Sequence, residues 1–526
     1  MKIIPKPIKA TSDIHYNNTE HRRRLTEFDK DGFKKLNIYL DLNNFNYEIK
    51  LYKLDKYKEM LEKGMEKAVN TLTSLLKIKN ITKNYKITDD QILNIGIKNW
   101  NKAIIGTDAC NKNRTFLTLG IDLVIFIRFE DEEVFGVGNL ASASPYYIDS
   151  NDGHPLIGLT IINKDANFTK IKSKEYFESI IIHEFTHILG FSNYYFTTLF
   201  KNIFSKEDKH GILRFYINST KVVNTARKYF NCSQIEGVEL EESGGEGTFG
   251  SHWEARLLLG DYMNGVIYPE EQVISEFTLA LLEDSGYYKA NYYTGGLMRF
   301  GKHKGCYFVF NKCINNEEVD SKFKNEFFFG IYDEYIQADT SCSSGRQSRA
   351  YHYLIKYKEN IPKEYQYYSR NNIGGYSSAD YCPVSLGEIS DESQNRYYLG
   401  HCSDKKGSDV YGHNIFYERY KKYYSYESGY LSSLTGEILS DNSFCVLSSL
   451  KKIDDIFFSD IFGAICYPMF CSEKSLTILI FDNFIVCPRS GGKITALGFD
   501  GHLICPDYNL ICSGTVLCND MFVCVD

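Results

Sequence analysis

His183, Glu184 and His187, within the run HEFTHILGFS, are the residues of this chain whose types and spacing can do chemistry. Histidines four apart on a helix share one face, with Cβ atoms about 5–6 Å apart, so both imidazoles reach a single metal ion. Glu184 follows the first histidine directly. That puts a carboxylate beside the ion without making it a ligand, where a general base for a metal-bound water belongs. The pattern predicts one zinc ion per chain and a hydrolase.

The flanking residues predict the helix that must carry this pair. Phe177, Ile181, Phe185 and Ile188 form one apolar stripe, Ser173 is placed to cap the start, and Gly190 to end it. Ile180, Ile182 and Leu189 fill the other faces, so the helix should run through a core. Two histidines and a glutamate on such a path need a partner, because unpaired buried polar groups are costly.

Catalytic zinc takes three protein ligands and keeps the fourth position for water. The metzincin pattern continues H-E-x-x-H-x-x-G-x-x-H, and this chain keeps Gly190 but has Asn193 where the third histidine would fall. Glu207, in SKED, lies where a thermolysin-like site would draw a glutamate from a following helix. Only His210 and His252 follow within the next hundred residues, and His252 stands in GGEGTFGSHWE. Glycines 244, 245, 247 and 250 let that backbone fold back tightly, as delivery of a ligand from a loop requires. On the residues alone, both third ligands stay open.

HEFTHILGFS, followed after a long insertion by GSHWEARLLLGDYM, resembles the leishmanolysin family of metzincin metallopeptidases. GVGNLASASPYY and NDGHPLIGLTIIN upstream extend the resemblance, as do ARKYFNC, LLEDSGYYKANY and GCYFVFNKC downstream. It is strong over residues 110–313 and looser beyond. It implies that His252 is the third zinc ligand, Met263 the Met-turn methionine beneath the metal, and Glu207 a surface carboxylate. It implies an α+β fold: a catalytic lobe of twisted mixed sheet plus zinc helix (1–192), a central lobe with the third ligand and Met-turn (193–313), and a Cys-rich, mostly β or irregular C-terminal domain (314–526). It also implies a Cys232–Cys306 disulfide, a bridge from Cys313 into the C-terminal domain, and a free Cys110 whose usual partner, near Ser144 to Tyr146, is missing. The activity implied is a zinc metalloendopeptidase acting on proteins and peptides, with Glu184 as general base. The alternative is a catalytically silent surface adhesion or binding protein on the same scaffold.

Several elements are legible around the motif. LNIYLDL predicts a strand, and residues 54–78 an amphipathic helix with Leu61, Met65, Ala68, Leu72 and Leu75 on one face. LVIFIRF at 123–129 predicts a buried strand, with GVGNLASA and LIGLTIIN as shorter strands after it. An edge strand near Asn139, Leu140 and Ala141, reaching Ala143, is expected to pair with an extended substrate backbone.

Composition bounds the partners and the compartment. With 526 residues, a formal charge of −7 and no basic block alternating with aromatics, nothing points to nucleic acid. Thirteen of the 15 cysteines lie from Cys306 onward, without paired C-x-x-C spacing, which argues for disulfides in an oxidising compartment. The opening MKIIPKPIKATSDIHYNN has no apolar h-region, and no run reaches transmembrane length. The expectation is an extracellular or cell-surface monomer, with any membrane association made through a segment outside this chain. Sequons at Asn17, Asn80, Asn113, Asn167, Asn218 and Asn231 are about what an Asn-rich chain yields by chance.

Overall fold

A continuous apolar strand forces burial on both faces, and LVIFIRF is accordingly an interior strand of the first sheet, paired on both edges. In the computed structural model this sheet comprises β1 (Ile8–Ala10), β2 (Ile38–Asp41), β3 (Leu123–Glu130), β4 (Ala141–Asp149) and β5 (Pro155–Asn163), in the order β1-β4-β5-β3-β2. β3 runs parallel to β2 and β5, whereas β4 runs antiparallel to β5. Leu123, Ile125, Ile127 and Phe129 enter the main core, while Val124 and Phe126 enter a smaller core on the other face. The two-residue period thus splits one apolar run between two cores.

The structure describes residues 29–79, 88–102, 120–135, 139–166, 174–243, 247–266, 273–292, 298–324, 326–328, 340–343, 345–352, 354–392, 435–440, 442–453, 463–472 and 474–512. It also describes 8–10, 12–14, 84–85, 168, 395–399, 402, 515–517 and 523–525. Cys110, Ser173, Gly244 and Gly245, and the sequons at Asn17, Asn80, Asn113 and Asn167, lie outside the described residues.

Helix α1 (Lys58–Leu75) buries Leu61, Met65, Ala68, Leu72 and Leu75. It is shorter than the expected 54–78. A 3-10 turn at Asp55–Tyr57 precedes it, and at Leu76 the chain becomes a strand, Leu76–Lys79. There Leu76 and Ile78 are buried and Lys77 and Lys79 exposed, paired with Phe33–Lys35 and Tyr288–Ala290. LNIYLDL likewise gives a strand only over β2.

Helix α2 (Lys174–Leu189) carries the histidine pair through the core, with Phe177, Ile181, Phe185 and Ile188 all buried. Gly190 ends it at φ +129°, a backbone conformation that side chains disfavour. The helix lies so close to β5 that a Cβ on Gly158 would fall 2.4 Å from the Ile188 side chain.

After α2 the chain forms an antiparallel sheet of β6 (Ile203–Glu207), β7 (Leu213–Ile217) and β8 (Val238–Leu240), with α3 (Thr220–Phe230) between the last two strands. Helix α4 (Glu276–Asp284) starts at Ser275, whose hydroxyl accepts from the backbone N–H groups of Phe277 and Thr278. One apolar core runs from Leu36 to Val384, and another, from Val446 to Cys512, fills an antiparallel six-stranded sheet in the C-terminal part. The architecture is mixed α+β with several sheets.

Among the described residues, six disulfides join Cys232–Cys306, Cys313–Cys382, Cys342–Cys445, Cys402–Cys466, Cys471–Cys512 and Cys487–Cys505. The first is the pair the resemblance implied, and Cys313 does bridge into the C-terminal part. Among the described residues, no helix is long and apolar enough to cross a membrane.

Candidate metal centre

The insertion after α2 returns His252 to the histidine pair. Segment 250–254 runs antiparallel along β8 as a short irregular extension of the sheet, bridged at Leu240 and Trp253: Glu241 N–H donates to the His252 carbonyl at 2.9 Å, Gly250 N–H to the Glu241 carbonyl at 2.8 Å, and Glu254 N–H to the Glu239 carbonyl at 3.2 Å. Gly250 makes the preceding turn at φ +66°. Asn193 packs beside Gly250.

His183, His187 and His252 are buried together, each with a ring nitrogen within 4.8 Å of the others. Their Nδ1 atoms face backbone carbonyls: Tyr262 at 2.6 Å, Phe191 at 2.6 Å and Thr248 at 2.9 Å. A carbonyl only accepts, so each Nδ1 carries the proton and each Nε2 presents a lone pair. Those Nε2 atoms converge, at 3.0 Å for His187 to His183 and 3.1 Å for His183 to His252. Three lone pairs pointed at one another without a proton between them are the donor set a cation requires.

Burial reinforces this. It pushes the His183 pKa down to about 4; burial and then the nearby His183 push that of His252 down to about 3. His187 is held well below the usual imidazole value by burial and then by both neighbours. All three imidazoles are neutral at physiological pH, the state that binds metal. Glu184, also buried, has its carboxyl pushed up to about 8 by burial, against the backbone N–H of Ala143 on β4.

Met263 is fully buried, and its turn is held by Asp261. The Asp261 carboxylate accepts from Met263 N–H at 2.6 Å, from Thr278 Oγ1 at 3.1 Å and from the Ser275 hydroxyl. Sequence reasoning missed Asp261. Its signal is the acid two residues before Met263, followed by a Ser-capped helix.

Glu207 ends strand β6, exposed, and no helix presents it to the histidines. Ala141 opens β4, but Asn139 and Leu140 precede the strand, their carbonyls taken by the Asn163 side chain at 2.9 Å and its N–H at 2.9 Å. Only Ala141 of those three lies in the strand itself.

This fold presents a donor set able to hold a metal ion in an H-E-x-x-H arrangement. Residues 52–518 match the family model described as leishmanolysin, and the chain belongs to that family of metallopeptidases. It is 27% identical over 425 residues to a leishmanolysin homolog of Crithidia fasciculata, covering 76% of this chain and 57% of that one. It is 30% identical over 312 residues to a leishmanolysin-like peptidase of Drosophila melanogaster, covering 56% and 43%. To leishmanolysin of Leishmania tropica it is 29% identical over 277 residues, covering 52% and 40%. The chain spans about half the length of these relatives.

Proposed function

We propose that this protein is a zinc metalloendopeptidase with His183, His187 and His252 as ligands and Glu184 as general base. The observation that carries the reading is the set of three Nδ1–H groups committed to carbonyls, which leaves three converging Nε2 lone pairs. Zinc bound there supplies a Lewis acid that acidifies water and polarises a peptide carbonyl.

The chain's own residues do the rest. Glu184, with its proton affinity brought near neutrality by burial, takes the proton from the attacking water and passes it to the leaving amine. β1 pairs with β4 only at Tyr147–Asp149, and among the described residues no strand pairs with the outer edge of β4 from Ala141 to Tyr146. An extended substrate adding there gains main-chain hydrogen bonds and lies beside Glu184, which the Ala143 N–H already reaches. Met263 serves as an apolar floor, in a three-part organisation of 1–192, 193–313 and 314–526 of metzincin type. The disulfides among the described residues favour an oxidising, extracellular or surface setting.

Purified protein should contain about one zinc per chain and cleave a peptide library, with activity removed by a chelator and restored by zinc. Metal-free protein that cleaves equally well would overturn the reading.

A further inference from the structure

The face on which the strand delivers His252 carries more than the ligand itself. In the β7-β8-(250–254) sheet, cross-strand neighbours share a face, so Arg214, Glu239, Glu241, His252 and Glu254 project to one side. Apart from the imidazole these are one cation and three carboxyl groups, all buried. Arg256, just beyond on the same chain segment, adds a second buried cation. What closes this face comes from far along the chain.

Asp380 meets the Arg214 guanidinium with both oxygens, at 3.1 and 2.7 Å, and lies 3.6 Å from Arg256 Nε. It is buried, as are both arginines. A bidentate carboxylate fork fixes orientation as well as charge. Asp380 and Tyr381 also take left-handed backbone, at φ +55° and +56°, and two such non-glycine residues in succession persist only when their surroundings enforce them. The Cys313–Cys382 disulfide follows immediately. From the same region Tyr365 donates to Glu242 at 2.8 Å, and Glu242 also pairs with Arg214. Arg256 in turn donates to the carbonyls of Val309 at 2.8 Å and Asn311 at 3.1 Å, beside Cys313.

We propose that Asp380 is a positioning residue for the third metal ligand: by gripping Arg214 and Arg256 it fixes the 250–254 strand, so that the chain beyond Cys313 completes the metal centre. The inference rests on the reading of His252 as a ligand. It acts through backbone: Arg214 holds β7 on one side of Glu239 to Glu241, Arg256 holds the Ala255–Leu258 turn of helix that follows the 250–254 segment on the other, and Glu239 and Glu241 hydrogen-bond that segment around His252.

The test uses the full chain, folded with its disulfides, as wild type and as Asp380→Asn, Asp380→Glu and Arg214→Lys. Zinc affinity is read by chelator competition, kcat and KM by peptide cleavage, and the 241, 250 and 254 amides of the metal-free protein by hydrogen exchange. Asp380→Asn should weaken zinc binding about tenfold to a hundredfold, lower kcat with KM little changed, and speed exchange at those amides. Asp380→Glu should recover part of each loss. A lowered melting temperature with zinc affinity, kcat and exchange at wild-type values would overturn the proposal. So would failure of all three variants to fold, which would make the cluster a folding determinant. If the wild type itself binds no zinc, the ligand reading fails, while the exchange measurement still decides whether Asp380 orders the strand.

Discussion

The carbonyl of Tyr262 accepts the Nδ1 proton of His183 at 2.6 Å, while the Tyr262 hydroxyl lies 2.9 Å from Thr186 Oγ1 on the same helix. One residue of the turn before Met263 therefore grips α2 at two points. The two grips differ in kind. The carbonyl sets the tautomer of a ligand, whereas the hydroxyl contact is an ordinary buried hydrogen bond.

Substitutions at neighbouring positions should separate them. Tyr262→Phe keeps the carbonyl and should cost about 1 kcal/mol with metal content unchanged. Asp261→Ala strands Met263 N–H and the Ser275 and Thr278 hydroxyls in the core, and should cost at least about 2 kcal/mol and weaken metal binding. Urea unfolding and metal analysis check both; equal effects from the two would contradict this division.

His252→Ala should lose the metal and all cleavage, whereas exposed Glu207→Ala should lose neither. Metal content by mass spectrometry after gel filtration is the measurement. A metal-free Glu207→Ala would reverse the ligand assignment.

The acid limb of activity should belong to Glu184 and not to the histidines. A general base works only when ionised, and burial favours its protonated form, so cleavage is lost as pH falls through a pKa raised above the usual carboxylate value. The His183 and His252 pKa values lie near 4 and 3, so protons compete for the ligands only around that range. Between pH 7.5 and 5, peptide cleavage should decline while zinc content stays near one per chain. Zinc lost in step with activity near pH 6 would contradict the assignment.

The histidine helix and the inner face of α1 were legible because a 3.6-residue apolar period is written in side chains. The end of α1 was not. Leu76 and Ile78 also fit a helical spacing, and only pairing with Phe33–Lys35 and Tyr288–Ala290 makes them strand. The ligands were visible as residue types, but their orienting partners are the carbonyls of Tyr262, Phe191 and Thr248, which carry no side-chain signal. Asp380 lies 166 residues from Arg214, a separation at which sequence pattern says nothing of contact.

The Cys232–Cys306 disulfide, spanning 74 residues, ties the end of α3 to helix Gly305–Phe310. Replacing both cysteines with serine should lower stability by about 4 kcal/mol through the longer free loop of the unfolded chain. Denaturant titration checks this, and an unchanged midpoint would refute it.

The central claim is a metal-dependent hydrolase whose base is distinct from its ligands, and Glu184→Ala tests it most directly. Metal content and peptide cleavage should be measured on the same preparation. The account predicts zinc near one per chain with cleavage reduced to background, at least about a hundredfold below wild type. Cleavage retained at a substantial fraction of wild type, with zinc still bound, would contradict it.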